Sequence, residues 1–169
     1  MTRVVRISDY AEAISRKIRR ELFDTLNSIG GANALSAGSL PQAPFSPPLK
    51  DVRGADAARG AAILDGRFTF AGQVLESDDP FSLPAPSERF ARALHGFSWL
   101  RDLLACKDGQ ARARAGELID AWMAGFGKWN SFSWAPEVSA VRVINWVLAG
   151  SLFAGEPERL KSLMRQARH

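Results

Sequence analysis

Trp129-Asn130-Ser131-Phe132-Ser133-Trp134-Ala135-Pro136 runs directly into Glu137-Val138-Ser139-Ala140-Val141-Arg142-Val143-Ile144-Asn145-Trp146. An aromatic loop ends at a proline that suits a first helical turn, where its missing N–H goes unused. The helix that follows is apolar almost all round, which predicts burial in a body larger than a simple bundle. Its polar exceptions, Arg142 and Asn145, stand three residues apart and share a face. An unpaired buried charge is very costly, so Arg142 is either tied into an internal network or lines a cavity. Its planar fork suits a carboxylate, and Asp102 and Asp120 are the internal candidates. Both residues are expected on the inner side of the helical array, with Trp146 one turn from Arg142.

With 169 residues, 46% of them hydrophobic, the chain can build one ordinary domain or a piece of a larger one. No segment is apolar for long enough to span a membrane. Arg3 and Arg6 lead into a charged amphipathic segment and not into the apolar run of a secretory signal, so the expected location is cytoplasmic. Cys106 is the single cysteine and the histidines are His95 and His169. That excludes an intrachain disulfide and the usual Cys/His zinc cage, and no cofactor is expected. The net charge of +4 gathers at the ends, at Arg3, Arg6, Arg16, Lys17, Arg19 and Arg20, then at Arg159, Lys161, Arg165 and Arg168. Such faces can bind phosphates, but no nucleic-acid recognition motif accompanies them, and nucleic acid is not favoured as a partner.

The pattern divides into residues 1–30, an N-terminal amphipathic helix, residues 31–58, a proline-rich linker, and residues 59–169, a helical body. Ile7, Tyr10, Ile14, Ile18, Leu22, Leu26 and Ile29 repeat at helical spacing, with Gly30-Gly31 as the stop. Pro41, Pro44, Pro47 and Pro48 mark the linker. Phe68 and Phe70 alternate before Gly72, predicting a short β-hairpin near 67–75 that lays two Phe rings on a helical core. From Ser87 on, the chain reads as helix. Ser87 caps a helix carrying Phe90, Leu94 and Phe97, Gly96 interrupts it, and Ser98 restarts it through Trp99, Leu103 and Leu104. Ala111, Ala115, Leu118, Trp122 and Phe126 form the stripe of the next helix. Pro136 and Pro157 open two more, the last carrying Leu160, Leu163, Met164 and Ala167. Short connections predict antiparallel neighbours.

No GxSxG elbow, P-loop or dinucleotide glycine fingerprint is present. Asp78-Asp79 reads as a solvated turn, and Tyr10, the one tyrosine, sits on an apolar stripe. His95, beside the helix break, reads as a structural histidine, with a general base or a substrate contact as the functional alternative. Trp129 and Trp134 are candidates for stacking on a ligand.

The segments Gly66-Arg67-Phe68-Thr69-Phe70-Ala71-Gly72, His95-Gly96-Phe97-Ser98-Trp99-Leu100-Arg101-Asp102-Leu103, Ile119-Asp120-Ala121-Trp122 and Trp134-Ala135-Pro136 through Arg142-Val143-Ile144-Asn145-Trp146 together resemble the front of the heparinase II/III family, over roughly residues 50 to 169. The resemblance implies an incomplete α/α toroid of antiparallel helix pairs. It implies the N-terminal, non-catalytic portion of a polysaccharide lyase that acts by β-elimination on uronic-acid-containing chains, inactive by itself. No catalytic residue carries over. His95, Trp99, Arg101, Trp129, Trp134, Arg142, Asn145 and Trp146 become the candidate substrate-binding residues, and an acidic polysaccharide the candidate partner. The alternatives are an anionic-glycan-binding module that does not cleave, and a basic helical protein that binds nucleic acid or a membrane surface. The helix that Pro157 opens ends in Arg165-Gln166-Ala167-Arg168-His169 without a stop signal, so the chain is expected to be the front of a longer protein. It is further expected to expose Leu160, Leu163 and Met164, with parts of Val147 and Phe153, and to self-associate through them.

Overall fold

A computed structural model describes residues 49–169. The amphipathic helix expected over residues 8–29 and most of the proline-rich stretch lie outside the described residues. Within them the architecture is mainly α with one short antiparallel hairpin, as the periodicities predict.

Helix α1 (Ala57–Leu64) was not anticipated, because its sequence is short and rich in alanine and glycine. Asp56 starts it by accepting from the backbone N–H groups of Ala58 and Arg59 at 3.0 and 3.2 Å. Strands β1 (Arg67–Phe70) and β2 (Gln73–Glu76) pair with Phe70 opposite Gln73. Ala71 and Gly72 both take positive φ between them, the requirement of a tight two-residue hairpin turn. Phe68 and Phe70 point inward and Arg67 and Thr69 outward. Phe68 meets Trp99 edge-on at 5.9 Å and Phe70 meets Phe90 at 5.1 Å, so the hairpin does lay its two rings on the helical core.

Ser87 caps α2 (Glu88–His95) by accepting from Phe90 N–H. Helix α3 (Leu100–Ala105) follows, but Ser98 does not cap it: the residue at its N-cap is Trp99, with no side-chain cap bond. The corner between α2 and α3 places Phe97 at φ 56°, in the left-handed region. That conformation is costly for a bulky side chain. It is held by packing, since the Phe97 ring stacks on Trp99 and Phe81 and meets Trp122 and Trp146 edge-on. Helix α4 (Gly109–Phe126) buries Ala111, Ala115, Leu118, Ile119 and Trp122 against this cluster.

Pro136 and Pro157 occupy first turns, of α5 (Pro136–Leu148) and α6 (Pro157–Ala167). Two expectations fail at this end. Helix α5 is not buried all round, for Val141 and Ile144 are exposed. The C-terminal patch is absent, because α6 packs on α5 and α4. Leu160, Leu163 and Phe153 are buried, and Met164 and Val147 are half-buried. The apolar stripe of α6 faces inward, so no basis remains for self-association through it. Among the described residues no helix is long and apolar enough to cross a membrane.

Candidate functional site

Arg142 projects from α5 into the interior and is wholly buried. Its Nη1 donates to the carbonyls of Ser133 and His95 at 2.7 and 3.2 Å. Its Nε donates to Gln166 Oε1 on α6. The guanidinium carbon lies 4.1 Å from the centre of a Trp122 ring, a cation–π arrangement. The expected carboxylate partners are taken elsewhere. Asp120 binds Arg159 through two bonds of 2.8 and 2.6 Å. Asp102 accepts from Asp56 N–H and pairs with Arg59. The charge of Arg142 is thus met by carbonyl dipoles, an amide and an aromatic face, which offset desolvation only in part. Burial pulls its pKa down to about 9, and it stays a cation at neutral pH.

Each partner is fixed by its own local structure. Asn130 accepts from the N–H groups of Phe132 and Ser133 and donates to Ser133 Oγ at 2.6 Å, which turns the aromatic loop and aims the Ser133 carbonyl inward. Gln166 donates to the Ser162 carbonyl and hydroxyl one turn earlier. His95 Nδ1 accepts from Trp122 Nε1 at 3.0 Å, so the imidazole is neutral with its proton on Nε2. Burial, and then the charge of Arg142, hold its pKa down to about 4. The Arg142 knot ties together the α2–α3 corner, the aromatic loop, α4, α5 and α6.

Asn145, on the same face, reads both ways out of the core. Its Nδ2 donates to the Gly96 carbonyl at 2.8 Å, and its Oδ1 accepts from Arg53 Nη2 at 2.8 Å. Arg53 is gripped in turn by Asp51 through bonds of 2.8 and 2.6 Å, and that bond holds the Asp51 pKa down to about 2. Asp51, Arg53, Arg101, Leu104, Asn145 and Leu148 line an open cleft of about 280 Å³. Arg101 Nε has no hydrogen-bond acceptor among the described residues, with Asp102 Oδ1 at 3.8 Å.

The eight residues singled out in the sequence therefore divide. His95, Arg142 and Asn145 form the internal network. Trp99 and Trp146 pack inside the aromatic core, with Trp99 Nε1 donating to the Leu94 carbonyl. Trp134 is buried with its Nε1 on the Phe126 carbonyl. Arg101, at the cleft, and Trp129, half-buried in the loop, are the two that reach solvent. Sequence reasoning missed Gln166, Ser133 and the Asp51–Arg53 strap. Gln166 had a signal: it continues the apolar series Leu160, Leu163 at helical spacing, where an unbranched amide needs a partner.

No protein-family model matches the chain, and no solved structure matches it. Among curated proteins it is similar to FtsZ-localized protein C of Caulobacter vibrioides, 43% identical over an alignment of 128 residues, with 70% of this chain and 22% of that protein covered. The chain thus spans about a fifth of the length of the relative it matches. These findings overturn the resemblance to the heparinase II/III family. The named relative is an FtsZ-localized protein, and with the family go the lyase fragment, its polysaccharide substrate and the alternatives weighed beside it.

Proposed function

We propose that this chain is a helical segment of an FtsZ-associated, cell-division protein acting in the cytoplasm as a protein-binding module. The 43% identity to FtsZ-localized protein C over 128 residues carries this reading. The internal Arg142 knot supports it as a rigid scaffold, because it joins the α2–α3 corner, the aromatic loop, α4, α5 and α6 within the interior. We further propose that Arg101 and Trp129, the solvent-reaching members of the candidate set, are where a partner polypeptide touches the surface. The domain division, with an amphipathic segment, a proline-rich connector and a helical body from residue 59, suits such a module.

Residues 1–169 fused to a fluorescent protein, expressed in Caulobacter beside differently labelled FtsZ, test the reading. Co-localisation with the FtsZ signal is expected, and weakening of it by Arg101→Glu. A diffuse fusion whose distribution ignores FtsZ would contradict the proposal.

A further inference from the structure

The cleft beside the Asp51–Arg53 strap sets two guanidiniums against an apolar wall. Arg53 is engaged: its Nε and Nη2 hold Asp51, and Nη2 also donates to Asn145 Oδ1 at 2.8 Å. Arg101, entering from α3, is not. Its side chain is only 30% exposed, and its buried Nε finds no acceptor among the described residues. Asp102 Oδ1 stands off at 3.8 Å, and the Asp102 carboxylate is already engaged by Asp56 N–H and Arg59. A buried donor without an acceptor is costly, and a guanidinium fork matches the two oxygens of a carboxylate or the edge of a tetrahedral oxyanion.

Two features choose between those anions. Asp51 lines the same cleft, and its bond to Arg53 holds its pKa down to about 2, so it is ionised at neutral pH. A fixed negative charge at that distance repels a dianion more than a monoanion. The wall is formed by Leu104 and Ala105 of α3 and by Leu148 and Ala149 at the end of α5, which suits an anion borne on an apolar body. The volume of about 280 Å³ stands at the small end of ligand pockets.

We propose that this cleft binds a monocarboxylate carried on a short apolar body, with its oxygens on the Arg101 fork and its body against Leu104 and Leu148. A free aliphatic acid and the apolar last residue of a polypeptide both present this chemistry. The inference does not depend on association with FtsZ.

The arginine Nε–H signals of the nitrogen-15-labelled chain of 169 residues test it, with the Arg101 signal assigned by its loss in Arg101→Lys. In mildly acidic buffer of constant ionic strength, the probes are 4-methylpentanoate, N-acetyl-alanyl-leucine, the C-terminal amide of that dipeptide, acetate and sulfate. A monocarboxylate probe should shift the Arg101 signal saturably, with half-saturation on the order of 1 mM, while the signal of Arg142 in the core stays in place. Acetate should bind about tenfold more weakly or less, and sulfate and the amide should not saturate. Saturation by 4-methylpentanoate, by the dipeptide or by both supports the proposal and names the source as a free acid, a chain end or either. Arg101→Gln should abolish saturation, read at the Leu104 and Leu148 amides, and leave the unfolding curve unchanged. Four results would overturn the proposal: no saturation by either monocarboxylate, sulfate or the amide binding as tightly, acetate matching 4-methylpentanoate, or saturation that persists in Arg101→Gln.

Discussion

Arg142 shows how a buried cation is kept without a counter-ion. Three elements supply its acceptors, so its removal strands the His95 and Ser133 carbonyls and Gln166 Oε1 in the interior. Arg142→Ala should destabilise the chain by about 3 kcal/mol or more, read from denaturant unfolding. Arg142→Lys should recover little, since a compact ammonium cannot bond two carbonyls and an amide while lying flat on Trp122. His95 adds a pH dependence whose sign is fixed. It titrates near 6.5 in the unfolded chain and near 4 in the fold. Its contribution is complete above pH 6.5, is lost as pH falls from there to about 4, and falls no further below. The loss is on the order of 3 kcal/mol. His95→Gln, which keeps an acceptor for Trp122 Nε1, should flatten the stability profile between pH 4 and 6.5 relative to the parent. Superimposable profiles would refute the assignment. The buried status of Arg142 and Asn145 was legible from their place in an apolar helix. Their partners were not, because carbonyls are invisible to residue-type reasoning and carboxylates are the habitual expectation.

Individual elements were most legible where a cap or a breaker punctuates a period. Ser87, Pro136 and Pro157 each start the helix expected of them, and the Phe68–Phe70 alternation marks β1. Helix α1 escaped because Ala57-Ala58-Arg59-Gly60-Ala61-Ala62 lacks a wide apolar stripe. Its smallness is what the packing needs. A Cβ on Gly60 would stand 2.1 Å from the Asp102 carbonyl oxygen of α3 and 2.8 Å from Cys106 Sγ. Gly60→Ala should therefore push α1 from α3 and cost about 1–3 kcal/mol despite the better helix propensity of alanine. A melting temperature equal to or above the parent's would contradict that close approach. Ser98 failed as a cap because the chain enters α3 through Phe97 and Trp99, placed by their rings in the core. The end of α6 was misread for a different reason. A truncated helical array was taken to leave its last helix half covered, yet α4 and α5 pack on it.

For the molecule as a whole, the sequence carried the helical class and the hairpin but not the function. The aromatic and Arg-x-x-Asn-Trp segments that suggested a carbohydrate-active family are, in the fold, an aromatic core and the knot that pins it. Side chains so buried can recur wherever the same packing problem is solved, and they name no substrate. The chain is similar to an FtsZ-localized protein across 70% of its length, and the proposed module would meet a polypeptide partner through the half-buried side chains of Arg101 and Trp129. Direct association of purified residues 1–169 with purified FtsZ tests this most plainly, by sedimentation of the two proteins together and apart. The account predicts that the chain pellets with FtsZ and stays in solution without it, and that Arg101→Glu lowers the pelleted fraction while leaving the unfolding curve unchanged. A chain that remains in the supernatant at every FtsZ concentration, while retaining a cooperative unfolding transition, would contradict it.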